Sequence, residues 1–333
     1  MTLYAVEAID DAIAATRSFL WPFDVGRWLR LALVVFFVGG TGGSAPAQFG
    51  GSASTAPGSQ PGPPPQLPAP ETVLPGGVEL LAIGAVVAAV VVLVLGLLFV
   101  GSVMEFVFVE SLRREAVSVR RYWRGRWRAG ARLFAFRLVL GAVTLTLVGA
   151  TLAPSLLPAL SGDAPVAVGL VLLAVPVVGV LAVVSGLIGG FTTNFVVPVM
   201  IAEDRSLLSA WRRFWPALTG EWKQYAAYVV LAFVLRAAIG VATGVAVAFG
   251  ALVAAVPLGI AGIVGVALLS VAEPVGAALI AVSVLLFVVA VVAVALIVSV
   301  PVQTYLRYYA LFVLGDTDAD FDLIAERRRA VRE

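Results

Sequence analysis

Long apolar segments with almost no charge recur along the chain, and they restrict its fold more than any other feature. Five of them lie at 78–104, 138–158, 166–194, 237–256 and 276–302. Each reaches roughly the 20 residues that a helix needs to cross the hydrocarbon core of a bilayer. Only 13% of the residues are charged, which is too few to cover the surface of a soluble domain of this length. The alternation of polar and apolar residues that marks a membrane β-barrel is missing, so the sequence predicts an all-α membrane protein.

A sixth apolar segment, Trp28–Val38, is shorter and brings the predicted number of transmembrane helices to six. We expect the fourth long segment, with the apolar residues that follow it, to break at Pro257 and Gly259. Proline removes a helical hydrogen bond, and glycine disfavours the helix. The uncharged stretch around this break is too long for one helix across ~30 Å of hydrocarbon. We therefore interpret 258–272 as a short helix or a re-entrant segment on the outer side.

Two other segments lie outside the predicted spans. Residues 1–20 have the period of an amphipathic helix. Its larger apolar residues share one face: Val6, Ile9, Ile13 and Leu20. Residues 41–77 consist mainly of Gly, Pro, Ser, Ala and Gln, a composition that cannot bury apolar surface. We predict an interfacial helix for the first segment and a disordered extracytoplasmic loop for the second.

The predicted spans group into three helical hairpins with flanking segments. In chain order we predict an N-terminal interfacial amphipathic helix at 1–26, a first hairpin with the disordered loop at 27–110, an Arg-rich loop and second hairpin at 111–202, an interfacial helix and third hairpin at 203–310, and a cytoplasmic acidic and basic tail at 311–333.

Positive charge is confined to two of the segments that connect the spans. The segment 110–137 contains nine arginines, and 203–223 contains three arginines and the single lysine of the chain. The segments 41–77, 160–165 and 272–275 contain neither residue type. Cytoplasmic loops of membrane proteins are enriched in lysine and arginine. We therefore predict a multi-pass protein of the cell membrane whose N- and C-termini are both cytoplasmic.

Sequence patterns repeat between the basic segments and the spans that follow them. Arg120-Arg121-Tyr122-Trp123 is matched by Arg212-Arg213-Phe214-Trp215. Downstream, Arg137-x3-Gly141-x2-Thr144 is matched by Arg236-x3-Gly240-x2-Thr243. These patterns predict that the three hairpins are repeats in parallel orientation. Parallel repeats occur in transporters, although inert membrane domains are also duplicated.

Small residues recur at helical spacing in two of the spans. Gly186-x3-Gly190 and Gly240-x3-Gly244-x3-Ala248 place them on one face of a helix. Such stripes allow the backbones of neighbouring helices to approach and pack. We therefore predict close helix–helix contacts at these glycines.

Polar and charged residues lie toward the cytoplasmic ends of the predicted spans: Glu105, Arg137, Thr192, Thr193, Asn194, Arg236, Gln303, Thr304 and Arg307. An ionisable side chain at membrane depth costs several kcal/mol unless it is paired or hydrated, so such residues mark functional sites. We predict that they converge on a polar vestibule that faces the cytoplasm. In it, Glu105 pairs with one arginine, and the others are available to an anion. The alternative is that the arginines extend to lipid headgroups and the amides bridge helices.

The segment 110–137 interleaves its arginines with Tyr122, Trp123 and Trp127. Beside a transmembrane helix, this composition is typical of a topological anchor with a belt of aromatic residues. It also attracts anionic headgroups on the cytoplasmic side. The candidate residues are Arg120, Arg121, Arg124, Arg126 and Arg128. Basic and aromatic residues can bind nucleic acid too, but beside a span we expect membrane lipids, and no nucleic acid, as partners.

Two residue types that carry much enzyme chemistry are absent, since the chain contains no cysteine and no histidine. This excludes thiol catalysis, thiolate metal sites and histidine-based acid–base catalysis. Four aspartates alternate as in a calcium-binding loop: Asp316, Asp318, Asp320 and Asp322. Such a loop requires glycine and glutamate where this chain has Phe321 and Arg327. We interpret them as a solvated acidic turn before a helix at Leu323–Arg329, and we predict no metal, no cofactor and no enzymatic activity.

Two parts of the chain resemble known membrane proteins. Val197–Asp204 followed by Ser206–Arg212 resembles a motif of six-helix bacterial and archaeal membrane domains, including the domain fused to some glycerophosphodiester phosphodiesterases. In that motif a span exits at a proline, turns on an acidic residue and continues as an interfacial helix. Arg307–Asp316 and Phe321–Ile324 are similar to segments of an uncharacterised haloarchaeal family of such proteins. The resemblance implies no catalytic residues, because the phosphodiesterase domain is absent and its chemistry relies on histidines.

Two functions are compatible with these patterns. The first is a non-enzymatic integral membrane domain that organises lipid or protein partners. The second is a transporter or channel for a small anionic or lipid-like solute that passes through the polar vestibule. The most useful observation for choosing between them is whether a continuous water-filled cavity reaches the polar cluster.

Overall fold

The computed structural model describes residues 4–41 and 77–333, and this part of the chain is almost entirely helical. The predicted loop 41–77 lies outside the described residues except for its two end residues. In chain order the helices are α1 (Tyr4–Leu20), α2 (Val25–Thr41), α3 (Gly77–Arg113), α4 (Val119–Leu160), α5 (Ala164–Phe191), α6 (Val197–Glu203), α7 (Leu207–Gly220), α8 (Trp222–Leu268), α9 (Glu273–Thr317) and α10 (Ala325–Arg332). A π-helical turn (Thr192–Val196) joins α5 to α6, and a 3-10 turn (Ala319–Phe321) precedes α10.

Five helical segments of the described chain are long and apolar enough to cross a membrane: Leu81–Arg113, Val119–Leu160, Ala164–Glu203, Trp222–Leu268 and Glu273–Thr317. This finding supports a multi-pass membrane protein. The helix α2 has 17 residues, which is fewer than the roughly 20 that a spanning helix needs. The sixth span therefore stays a prediction, and so does the threefold repeat of hairpins that depends on it.

Helices that follow one another in the chain pack in pairs, α2 with α3, α4 with α5, and α8 with α9. Because α3 also packs on α4, and α9 on α2, the long helices form a series in the order α8, α9, α2, α3, α4, α5. The two helices at the ends of this series, α5 and α8, lack the extensive contact that joins the other neighbours. The bundle is therefore open between α5 and α8.

The buried core lies at one end of the bundle, which we call the basic end because the arginine-rich start of α4 lies there. The last turns of α3 and α9, the π turn with α6, and one face of α1 form this core. Its large, fully buried side chains include Phe106, Phe195, Tyr225, Tyr308 and Phe312. In the most apolar windows of the five long segments, by contrast, no more than 11% of the residues are buried. The helices thus present apolar side chains outward beyond the basic end, as lipid-facing helices do.

The expected break at Pro257 and Gly259 is wrong. The helix α8 continues through both residues to Leu268, so most of 258–272 is the end of this helix and not a separate or re-entrant segment. Proline removes only one backbone hydrogen bond, whereas ending a helix in an apolar environment leaves several backbone groups unpaired. With 47 residues, α8 is about 70 Å long.

The N-terminal helix packs mainly through alanines, and of its predicted apolar face Leu20 is buried and Ile9 is half-buried. The buried positions of α1 include Ala5, Ala8, Ala12, Ala15 and Phe19, and the helix packs on α9. Val6 and Ile13 are 50% and 53% exposed. Small side chains allow two helix backbones to approach closely. The hydroxyl of Tyr309 consequently reaches the carbonyl oxygen of Ala5 and donates a hydrogen bond of 3.0 Å.

The arginine-rich segment that we expected to be a loop is mostly helical. Since α3 ends at Arg113 and α4 begins at Val119, only 114–118 connect them. Arginine is a good helix former, so the segment continues directly into the span. The two helices pack closely, because a Cβ added to Gly130 would lie 2.5 Å from Val103 Cγ2.

The acidic turn near the C-terminus is bound by α10 and is not solvated throughout, so that prediction is wrong for Asp316 and Asp322. Asp316 accepts hydrogen bonds of 3.0 and 2.8 Å from the guanidinium of Arg332. Arg328 Nη1 lies 3.1 Å from Asp316 and 3.3 Å from Asp322. Hydrogen bonds to two carboxylates raise the pKa of Arg332 above its ordinary value. The bond to Asp316 has the larger effect, and the bond to Asp11 of α1 the smaller. The tail thereby joins α1 to α9.

Candidate functional site

A buried carboxylate lies at the centre of a charged cluster between α3, α4 and α9. The side chain of Glu105 is 1% exposed, and its Oε1 accepts a hydrogen bond of 3.1 Å from Arg137 Nη2. Its Oε2 accepts a hydrogen bond from Arg307, whose side chain is also buried. We predicted one arginine partner for Glu105, and the structure shows two. A guanidinium on each oxygen offsets the desolvation of the buried charge.

The π turn supplies further partners for the same two arginines. Arg137 Nη2 donates to Thr193 Oγ1 at 3.0 Å, and Arg307 Nη1 donates to the carbonyl oxygen of Thr193 at 2.7 Å. In this turn the N–H of Val197 donates to the carbonyl oxygen of Thr192, five residues earlier. Single π turns of this kind are frequent at functional sites. Here the turn connects the charged cluster to the end of α5.

Aromatic side chains hold the π turn in place. The ring of Phe195 stacks on Phe214 of α7 with a centroid distance of 5.6 Å, and it meets Tyr225 of α8 edge-on at 5.2 Å. Trp211 Nε1 of α7 donates to Thr192 Oγ1 at 3.2 Å. The short helix α7 therefore braces the turn against α8, so the turn and the charged cluster are positioned by packed elements.

A cavity of about 460 Å³, which we call the polar cavity, opens beside the charged cluster. Six of the predicted residues line it: Glu105, Thr193, Asn194, Arg236, Gln303 and Arg307. Arg137 lies behind Glu105 and does not line the cavity. Thr304 is buried away from it, and its Oγ1 has no hydrogen-bond partner in the described part of the chain. The structure therefore brings most of the predicted cluster around one cavity.

Among the donors of the polar cavity that no described residue uses are those of Arg236, Asn194 and Gln303. Arg236 is exposed, and its guanidinium forms no hydrogen bond or ion pair with another described residue. The side-chain amides of Asn194 and Gln303 are half-buried and equally without a partner among the described side chains. Together with Arg236, the cluster of Glu105, Arg137 and Arg307 has a net charge of +2. Such an excess of positive charge attracts an anion, and more strongly where the surroundings are apolar.

A second cavity of about 470 Å³, which we call the lateral crevice, lies on the outside of the bundle between α5 and α8. Its walls are mainly apolar: Val183, Leu187 and Phe191 on α5, and Val229, Val230, Ala232 and Phe233 on α8. Four residues line both the lateral crevice and the polar cavity: Gly186, Gly190, Asn194 and Arg236. The two cavities meet at these residues, so the unused donors are adjacent to the apolar outer surface.

The predicted close packing at the glycine stripes is wrong. A Cβ added to any of four glycines would meet no neighbouring atom within 4 Å: Gly186, Gly190, Gly240 and Gly244. Helices α8 and α9 pack closely elsewhere, since a Cβ on Gly250 would lie 2.6 Å from Val294 Cγ1. Gly186 and Gly190 face the gap between α5 and α8, where the lack of a side chain leaves space for the cavities instead of a helix contact.

A third cavity of about 840 Å³, which we call the surface basic pocket, lies between α2 and α4. Four arginines line it: Arg30, Arg120, Arg121 and Arg124. Leu33 and Val117 form an apolar part of its wall, and no acidic residue of the described chain lines it. A group of arginines beside apolar surface is the arrangement that attracts anionic lipid headgroups.

The five predicted headgroup residues therefore occupy different surroundings. Arg120, Arg121 and Arg124 line the surface basic pocket. Arg126 binds Asp204 at 2.9 Å, so it fixes the turn after α6 and is less free to bind a headgroup. The guanidinium carbon of Arg128 lies 5.6 Å from the centroid of the adjacent indole ring.

Ser102 and Arg30 are among the site residues that were not predicted from the sequence. Ser102 Oγ accepts a hydrogen bond of 3.4 Å from Arg137. It lies three residues before Glu105 and hence on the same helix face, which was a usable signal. Arg30 joins the surface basic pocket from α2. Its positive charge near the start of the shortest apolar segment could have assigned it to the basic side.

The chain was compared with known families, curated proteins and solved structures. A model of a family of unknown function, DUF7544, matches residues 3–324, and the chain therefore belongs to this family. No curated protein and no solved structure matches the chain.

Proposed function

We propose that this member of DUF7544 is a non-enzymatic integral membrane domain that binds and organises lipids with anionic headgroups on the cytoplasmic side. The observation that carries the proposal is the unused guanidinium of Arg236 in the polar cavity. An arginine at membrane depth needs a partner or water, and such residues mark binding pathways. The planar fork of arginine suits phosphate, because it donates two parallel hydrogen bonds.

The chemistry of the charged cluster favours binding over catalysis. Glu105 is the acidic residue in the lining of the polar cavity, and both of its oxygens already accept hydrogen bonds from arginines. A general acid or base has to reach the proton that it transfers. In this arrangement Glu105 positions Arg307 and Arg137 and neutralises part of their combined positive charge. Arg236 is left to bind the anion.

The resemblance to membrane domains fused to glycerophosphodiester phosphodiesterases supports a role connected with lipids. Glycerophosphodiesters are deacylated phospholipids, so such a domain is found next to enzymes of lipid breakdown. This resemblance also supports six transmembrane helices, with α2 as the shortest, and the separate resemblance to a haloarchaeal family supports an archaeal origin.

In this proposal the basic end faces the cytoplasm, because the positive-inside rule places arginine-rich segments there. Single cysteines report the orientation cleanly in this Cys-free chain. We expect a membrane-impermeant thiol reagent to label Gln60→Cys from outside and to leave Gly125→Cys and Ala330→Cys unlabelled. Labelling of the latter two from outside, with none of Gln60→Cys, would overturn the orientation.

Native mass spectrometry in detergent tests the binding function. We expect the protein to retain phosphatidylglycerol more strongly than zwitterionic phosphatidylcholine. Arg236→Gln should weaken phosphatidylglycerol binding roughly ten- to a hundredfold, the range for a lost hydrogen bond to a charged group. Arg212→Gln is the matched control, since Arg212 is an exposed arginine of α7 that lines none of the cavities described above. Equal binding by the two variants would contradict the proposal.

The meeting of the polar cavity and the lateral crevice favours a second candidate function, a transporter or channel for a small anionic or lipid-like solute. Proteoliposomes distinguish the two functions. A binding domain leaves glycerol 3-phosphate inside the vesicles and a fluorescent phosphatidylglycerol in its original leaflet. A transporter releases the first or redistributes the second, at a rate that Arg236→Gln lowers.

A further inference from the structure

We propose that the lateral crevice admits a hydrocarbon chain of a membrane lipid while the phosphate of the same lipid binds at Arg236. This inference rests on the proposed function, and it adds the route and the ligand class. The ligand is an anionic amphiphile that moves sideways from the bilayer between α5 and α8. It does not arrive from water as a free anion.

The first observation is the gap in the series of helices. The helices α5 and α8 lack the extensive contact of the other neighbours, and the lateral crevice lies between them. Its rim is apolar and points outward, with Val183 61% exposed and Phe233 74% exposed. In a bilayer such a rim contacts hydrocarbon, so the hydrocarbon chains of lipids are available to fill the crevice.

The second observation is the pair of glycines at the junction of the two cavities. A side chain at Gly186 or Gly190 would project into open space, so their lack of a side chain keeps the crevice connected to the polar cavity. Asn194 and Arg236 line this same junction with unused donors. One molecule can therefore place an apolar part in the crevice and an anionic part on Arg236 at the same time.

The third observation is the match between the two cavities and the two parts of an amphiphile. Their volumes of about 470 and 460 Å³ are within the range of about 300–1,000 Å³ that is usual for small-molecule sites. An inorganic anion would leave the apolar crevice unused, and a neutral hydrocarbon would leave Arg236 without a partner. A helix from a second copy of the chain could cover the crevice, but it would need to bring a negative charge to the junction.

A pair of matched substitutions on α5 tests this route. Val183→Trp narrows the crevice from its outer rim and leaves the donors unchanged. Val180→Trp is the control, because Val180 lies on the same helix, is 62% exposed compared with 61% for Val183, and does not line the crevice. Arg236→Gln removes the donor. Each variant is titrated with dioleoyl phosphatidylglycerol and, separately, with soluble glycerol 3-phosphate, and binding is measured by native mass spectrometry.

We expect Val183→Trp to reduce phosphatidylglycerol binding to the level of Arg236→Gln and to leave glycerol 3-phosphate binding unchanged. We expect Val180→Trp to bind both ligands as the unsubstituted protein does. Normal lipid binding by Val183→Trp would overturn the lateral route while leaving the proposed function intact. Loss of both ligands in that variant would contradict a separate site for the hydrocarbon chain. Full binding of both ligands by Arg236→Gln would contradict the proposed function itself. If the protein is a dimer that Val183→Trp dissociates, the occupant of the crevice is a second copy of the chain and not a lipid.

Discussion

The helices α4 and α8 carry the same residue pattern, yet they use it in opposite ways. In α4, Arg137 donates hydrogen bonds to Glu105, Thr193 and Ser102. Thr144 shares a hydrogen bond of 2.8 Å with Ser185 of α5. In α8, the corresponding arginine, glycine and threonine line the polar cavity, and neither polar side chain has a partner among the described residues. We call the contact of α4 with α5 the closed side and the gap between α5 and α8 the open side.

The difference shows that the neighbours of a helix determine the role of its polar residues. Helix α4 lies between α3 and α5, which bring an acid and hydroxyls within reach. Helix α8 packs on α9 along its length but stands away from α5. The same pattern therefore seals one interface and leaves charge and hydrogen-bonding capacity unused at the other. Polar groups that are satisfied internally stabilise a fold, whereas unused ones are available to a ligand.

The largest expected effect is at Glu105 of α3, which accepts a hydrogen bond from Arg137 on the closed side. Glu105→Gln removes the shared acceptor of two arginines, so we expect the free energy of unfolding to fall by about 3–5 kcal/mol, as when one partner of a buried ion pair is lost. Unfolding by denaturant in detergent measures the change. Glu221→Gln is the control, because Glu221 is exposed. Adding Arg307→Met to Glu105→Gln should restore much of the lost stability. An unchanged free energy of unfolding in Glu105→Gln would contradict a stabilising role for the buried ion pairs of Glu105.

The two corresponding arginines allow the comparison to be made directly. Arg137→Gln should lower the free energy of unfolding by about 1–3 kcal/mol, because it removes hydrogen bonds to a charged partner. Arg236→Gln should change stability by no more than about 0.5 kcal/mol, as expected for a residue without protein partners. Thermal melts of both variants under one set of conditions measure the difference. Equal losses in the two melts would show that Arg236 is a structural residue.

The corresponding threonines should show the smallest difference. Thr144→Val breaks the hydrogen bond with Ser185, and we expect a loss of about 0.6 kcal/mol, the average for hydrogen bonds between membrane helices. Thr243→Val breaks no bond with a described side chain, so we expect no loss of stability. Replicate unfolding curves of the two isosteric variants show which of them loses more stability. A larger loss in Thr243→Val than in Thr144→Val would reverse the assignment of the two sides.

The grouping of polar residues around one cavity could be predicted from the sequence, because their depth along each helix follows from residue counting. Glu105, Arg236 and Arg307 each lie at the end of an apolar segment that is nearest the basic end of the bundle. Helices that pack side by side bring residues at the same depth together. The lateral distance between α5 and α8 could not be predicted this way. It depends on the order of six helices around the bundle, which no local pattern specifies.

The misassigned glycines illustrate the same limit. A glycine stripe shows only that a helix face is smooth, and a smooth face serves a close helix contact or a cavity equally well. Gly250 meets Val294 of α9, whereas Gly186 faces the gap between α5 and α8. The N-terminal helix adds a related lesson, since its alanines pack on α9 while Val6 stays exposed. Periodicity identifies a face, and the neighbouring helix decides how that face is used.

Labelling of single cysteines at the two threonines compares the open and closed sides in one measurement. The chain has no cysteine of its own, so a negatively charged methanethiosulfonate reports only the introduced thiol. We predict that Thr243→Cys reacts rapidly in detergent, because Thr243 lines a cavity with a net positive charge, and that glycerol 3-phosphate slows this reaction. We predict that Thr144→Cys reacts slowly and without protection, because Thr144 lies between α4 and α5. Equal rates at the two positions, or faster reaction of Thr144→Cys, would contradict the distinction between an open and a closed side.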